Sequence, residues 1–110
     1  MNYIFLDNGF EEIEAITTID LLRRANIALT TVSVTGKHVV LGAHAIPIKA
    51  DKLFADVDYT DAEMLILPGG ATKLIEHKPL CELLQKHNQQ EILIAAICAA
   101  PAVLGQLGIL

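Results

Sequence analysis

The sequence has no tryptophan, and aromatic residues make up only 5% of its 110 positions. Its core must therefore be aliphatic. The 53% hydrophobic content suffices for one globular domain over residues 1–110 and is too apolar for a disordered chain. Basic residues are scarce: eight Lys and Arg stand against thirteen Asp and Glu, a net charge of −5. No basic cluster exists beyond Arg23-Arg24, so nucleic acid is not an expected partner. Long hydrophobic runs are also missing. The longest, Ile92 to Leu104, is interrupted by Pro101 and falls short of the roughly 20 residues of a membrane span. The N-terminus lacks a basic stretch, and its apolar run stops at Asp7, so no signal peptide is expected. Two cysteines without such a signal imply free thiols in a reducing compartment, and hence a cytoplasmic protein. Neither G-x-G-x-x-G nor a Walker motif occurs. His38, His44, His77 and His87 show no ligand spacing and read as surface or loop residues; no metal or cofactor is expected.

What is present alternates. Asn2–Leu6 reads as a strand ending in Asp7-Asn8-Gly9. Glu11–Ala25 reads as a helix, with Glu11, Glu12 and Glu14 at its start and Arg23-Arg24 at its end, as the helix dipole favours. Asn26 is a fitting stop. Ala28–Val34 is a strand, and Val39–Leu41 with Ile46–Ile48 forms a small hairpin around Gly42, its second arm made an edge by Pro47. Glu63–Leu67 is a strand closed by Pro68-Gly69-Gly70. Pro79–Asn88 is a helix, Ile92–Ile97 an apolar strand and Ala99–Leu107 a helix. Strand-helix alternation with continuous apolar strands predicts an α/β fold with a parallel sheet covered on both faces. Ligands bind such sheets beyond the C-terminal strand ends, where Asp7-Asn8-Gly9, Pro68-Gly69-Gly70 and Cys98 converge.

Cys98 is flanked by Ala95, Ala96, Ala99 and Ala100, and small neighbours suit a sharp strand-to-helix turn. A thiol at a helix N-terminus meets unpaired N–H groups that favour the reactive thiolate. The competing reading is a small core cysteine. Gly69 and Gly70 either offer backbone N–H groups to an oxyanion or form an ordinary turn. Glu11 and Glu12 read as solvated first-turn carboxylates. Glu14 shares a helical stripe with Thr18 and Leu21 and is expected to face the sheet, where an acid needs a partner. Cys81 reads as a core filler.

Four stretches, Gly9-Phe10-Glu11-Glu12-Ile13-Glu14-Ala15, Ile19-Asp20-Leu21-Leu22-Arg23-Arg24-Ala25, Leu65-Ile66-Leu67-Pro68-Gly69-Gly70 and Ile94-Ala95-Ala96-Ile97-Cys98-Ala99-Ala100-Pro101, together resemble the ThiJ/PfpI superfamily, specifically its protein deglycase and oxidative-stress (parkinsonism-associated) branch. The resemblance implies a flavodoxin-like sandwich and a homodimer. It places Cys98 as the nucleophile, Glu14 as the acid that hydrogen-bonds it, and the backbone N–H groups of Gly70 and Ala99 as the oxyanion site. It also implies a small aldehyde or glycated substrate handled without cofactor, or redox sensing with chaperone behaviour. Two departures narrow this. PfpI-type peptidases place His directly after the nucleophile, where this chain has Ala99. Amidotransferase relatives place Gly at the positions held here by Ala96 and Ala100. A thiazole-biosynthesis role survives in the family's name without a supporting residue.

Members of this superfamily continue beyond Leu110 and carry there a His that approaches the cysteine. The expectation is a fragment, a cleaved product with a complementary piece, or a truncated gene product. Four structural expectations follow. Cys98 ends a central parallel strand in unfavourable backbone geometry. The apolar segment Ala102–Leu110 is covered by a second polypeptide. Cys98 oxidises before Cys81. Glu14 holds the proton it shares with a Cys98 thiolate, because two adjacent anions repel.

Overall fold

Alternate residues of the first strand face opposite layers. The computed structural model, which describes residues 1–70 and 72–110, contains β1 (Asn2–Leu6), in which Tyr3 and Phe5 enter one core and Ile4 and Leu6 the other. All five residues are buried, so β1 lies at the heart of the sheet. It pairs in parallel with β2 (Leu29–Ser33) on one side and β6 (Met64–Leu67) on the other. The short β5 (Lys52–Leu53) extends the sheet beyond β2, and β7 (Leu93–Ala96) extends it beyond β6, giving the order β5-β2-β1-β6-β7. The chain therefore reverses its direction of winding at β1, and such a switch point opens a crevice at the C-terminal strand ends.

Helix α1 (Glu12–Arg24) covers the face of Ile4, Leu6 and Ile66. Helices α2 (Lys78–Gln89) and α3 (Pro101–Gln106) cover the other face through Leu80, Leu84, Val103 and Leu104, against Phe5, Leu65 and Leu67. Each fully buried Leu, Ile or Phe contributes about 1.5–3 kcal/mol. Strands β3 (Val39–Leu41) and β4 (Pro47–Lys49) form a separate antiparallel hairpin. Asn26, with φ +58°, stops α1 as its position suggested. No helix among the described residues is long and apolar enough to cross a membrane.

Several expectations are corrected. β7 is an edge strand, not a central one: Leu93 is exposed and the other residues are half-buried. Its unbroken apolar sequence suggested cover on both faces, but composition carries no information on lateral position. α3 begins at Pro101 rather than Ala99, because the fixed φ of proline suits the first helical position. Cys98 and Ala99 therefore lie in the turn before α3. α2 begins at Lys78, putting Pro79 second. The segment Ala102–Leu110 is partly covered by its own chain, since Val103 and Leu104 are buried, while Leu110 is exposed. β5 and the 3-10 turns Phe54–Asp56 and Thr72–Glu76 carry too few residues to show a periodicity.

Candidate active site

Cys98 sits just past the C-terminal end of β7, exposed, with φ +61°. A non-glycine residue in the left-handed region is strained, and strain of this kind gathers where a side chain is held out for chemistry. The turn is fixed by Ile97 N–H donating to Leu67 O at 3.2 Å and by Ala100 N–H donating to Ile97 O at 3.1 Å. Among the described residues, the N–H groups of Gly70 and Ala99 donate to no backbone carbonyl.

Glu14 reaches the same place from the opposite layer. Its Oε1 is buried and has no hydrogen-bond partner among the described residues, so the bond to Cys98 that the resemblance implied is not made by this oxygen. The meeting point is Gly69. A Cβ built there would overlap Glu14 Oε1 and lie 2.7 Å from Cys98 Cβ. The two groups are therefore no farther apart than the sum of two sub-van-der-Waals distances. The start of α1 is held against this loop by Glu11 N–H, which donates to Gly69 O at 2.9 Å. Gly70, at φ +89°, packs so closely on Gly9 and Glu11 that a Cβ would lie 2.6 Å from Glu11 N. The stripe Glu14, Thr18, Leu21 is corrected at its end, because Leu21 is 59% exposed.

Two histidine–carboxylate contacts flank the site, and neither was visible in local sequence. Asp7, buried at the end of β1, accepts from His77 Nε2 at 3.1 Å and from Asn8 N–H at 2.8 Å. Glu12 is buried, which corrects its reading as a solvated carboxylate. Its Oε2 accepts from His44 N–H at 2.6 Å and Ile46 N–H at 3.3 Å, and Oε1 meets His44 Nδ1 at 2.8 Å. Burial alone would push the Glu12 carboxyl up, but the bonds from the His44 side chain and the backbone outweigh it and hold it down at about 2. His44 moves up, through its bond to Glu12 and the charge of Glu11. Glu11, Glu12 and His44 present ligand atoms within 4.8 Å of one another. Glu12 is already committed to the two N–H groups, so a cation there would compete with the hairpin. His87, expected at the surface, is buried in α2, with ring nitrogens 3.0 Å from Leu83 O and 3.3 Å from Tyr59 O. Cys81 is buried, as expected.

An apolar groove runs between α1 and β4, lined by Ile16, Ile19, Ile48 and Arg23, but neither Cys98 nor Glu14 lines it. The chemistry-bearing residues instead meet where strand ends and glycine loops meet.

The sequence pattern of the DJ-1/PfpI family matches residues 2–110. The chain is 35% identical to the protein dj-1beta of Drosophila melanogaster over 109 residues, 96% of this chain and 58% of that protein. It is 34% identical to the Parkinson disease protein 7 homolog of Danio rerio, with the same two coverages. The solved structure of oxidized Toxoplasma gondii DJ-1 superposes with a TM-score of 0.94 at 36% identity, over 99% of this chain and 61% of that one. This chain thus spans about three-fifths of these relatives. The flavodoxin-like parallel sheet that the four motifs implied is shared with them. The chain belongs to the DJ-1/PfpI family, in its DJ-1 branch.

Proposed function

We propose that this chain contributes the nucleophile and the acid–base group of a cofactor-free glyoxalase or deglycase-type enzyme acting on methylglyoxal or its adducts. The observation that carries the reading is the buried, unpartnered Glu14 Oε1 beside Cys98. A buried carboxyl oxygen without a partner is costly, and a substrate oxygen or the Cys98 thiol would satisfy it. Cys98 sulfur adds to the aldehyde carbon, and the carbonyl π pair moves to oxygen, which takes the proton from Glu14. The N–H groups of Gly70 and Ala99 hold that oxygen. Glu14, now carboxylate, removes the former aldehyde proton. Glu14 returns that proton to the adjacent carbon of the enediolate while the hydroxyl proton passes to the neighbouring oxygen, and the thioester forms. Water then cleaves the thioester to lactate and frees the thiol. No electrons leave the substrate, so no redox partner is required. Lactate formed from methylglyoxal without glutathione, and lost in Cys98→Ser, tests this; equal lactate from Cys98→Ser would refute it.

The exposure of Cys98 supports a second reading, a non-catalytic redox sensor and stress chaperone in which peroxide oxidises the sulfur to sulfinate held by Glu14. Peroxide-dependent chaperone activity without lactate production would favour it. For partners, we propose a second copy of this chain or a complementary segment. The exposed apolar residues Ile13, Ile16, Leu21, Val39 and Leu41 on α1 and the hairpin support the former. The open edge at β7 supports the latter.

A further inference from the structure

The two glycines of the loop after β6 are glycines for different reasons. Gly70 has φ +89° and backbone atoms of Gly9 and Glu11 crowding its Cβ direction, so torsion and space both demand it. Gly69 has no left-handed torsion, so a positive φ is not what requires glycine there. What excludes a side chain at Gly69 is the site itself. The volume a Cβ would fill is shared by Glu14 Oε1 and Cys98 Cβ.

We propose that Gly69 is a positioning residue. Its bare Cα is the gap across which α1 and the β7–α3 turn bring acid and thiol together. The inference rests on the Glu14–Cys98 reading above and deepens it. The two obstructions differ in kind. Glu14 Oε1 is the far end of a flexible side chain and can swing away cheaply. Cys98 Cβ is tied to a strained turn and moves only with its backbone. A methyl at Gly69 therefore displaces Glu14 first. The Cys98 turn must also give by a few tenths of an ångström, because its Cβ would lie 2.7 Å from the new methyl, but the thiol stays exposed and loses its acid. The carbonyl of Gly69 holds Glu11 N–H, so the same residue sets the seat of α1 and the clearance above it. A Cβ leaves that carbonyl bond available, which separates loss of coupling from loss of fold.

The test is the iodoacetamide labelling rate of Cys98 at neutral pH, in a Cys81→Ser background that leaves one thiol. Four proteins are compared: the background, Glu14→Leu, Gly69→Ala and the double variant. On this proposal the buried acid turns to the reacting sulfur when labelling begins, so losing Glu14 should slow labelling about three- to tenfold. Gly69→Ala should slow it to a similar extent, and the double variant should be no slower than either single one. Two effects that multiply in the double variant, or Gly69→Ala labelling like the background, would overturn the role of Gly69. A Glu14→Leu protein that labels like the background would remove the Glu14–Cys98 coupling itself, and both readings would fall. If Gly69→Ala does not fold, its melting temperature is measured with Glu14→Ala. Restored folding there is expected, because the closer of the two obstructions is gone and the Cys98 turn has only the smaller one to accommodate. An unfolded double variant would place the clash on Cys98 alone and overturn the proposal.

Discussion

Cys98 is exposed on a left-handed turn, whereas Cys81 lies buried in α2 with its Sγ 3.4 Å from Ile75 O. Burial pushes the Cys81 thiol up, and the nearby charge of Glu82 adds to that. Reactivity follows thiolate fraction and access, so mild peroxide should oxidise Cys98 well before Cys81. Peptide mapping after brief exposure checks this; oxidation of Cys81 first would reverse the ranking. Gly70 carries a prediction of a different sort. An alanine there meets a positive φ and two backbone atoms closer than 3 Å. Gly70→Ala should destabilise the fold by about 1–3 kcal/mol, read as a lower midpoint in urea. An unchanged midpoint would show that the loop can relax away from Gly9 and Glu11.

At the level of elements, the hairpin β3–β4 is stitched to the loop that floors the site. Gly9 N–H donates to Leu41 O at 2.8 Å, Ala43 N–H to Phe10 O at 2.8 Å, and Leu41 N–H to Asn8 Oδ1 at 3.0 Å. Glu12 adds the ionisable part, and Gly42 makes room for it, since a Cβ there would lie 2.5 Å from the carboxyl carbon. The acidic groups facing His44 are Glu11 and Glu12. The folded value of His44 is raised above its ordinary 6.5, so its contribution is complete below 6.5 and fades as pH climbs through the raised value. That of Glu12 is lowered from 4.5 to about 2, so its contribution is complete above 4.5 and fades as pH falls toward 2. The hairpin should be held most firmly between those ordinary values. Amide exchange protection at Ala43 and Ile46 should be higher at about pH 5.5 than at about pH 8.5, and His44→Ala should abolish the difference. A pH-independent protection would remove His44 from the clamp. Much of this scale was legible in sequence. The alternation of apolar runs with helix-dipole charges marked β1, α1, β2, β6 and α2 to within a residue or two. Glu12 was misread because a first-turn acid looks the same whether it meets water or a loop 32 residues away. The edge position of β7 was hidden for a similar reason: lateral order is a long-range property. Unfavourable backbone geometry at Cys98 was legible because small flanking residues and a strand-to-helix junction are local signals.

At the scale of the whole molecule, α1 and the β3–β4 hairpin carry a set of exposed apolar side chains, with Ile13 71% exposed and Val39 58%. If a second copy covers it, sedimentation should show a dimer, and Ile13→Asp should dissociate it while leaving the far-UV circular dichroism unchanged. A monomer at all concentrations would leave those side chains to another partner. The proposed reaction takes its acid from one layer and its sulfur from the other. Native mass spectrometry of the protein mixed with methylglyoxal, in wild type and Glu14→Gln, reads the covalent state of Cys98. Wild type should turn over, forming lactate and retaining little adduct. Glu14→Gln leaves the adduct oxygen to take its proton from water and cannot remove the carbon-bound proton, so it should accumulate one methylglyoxal mass at Cys98 and form no lactate. Adducts confined to Arg and Lys, or a Glu14→Gln protein that makes lactate as fast as wild type, would contradict the account.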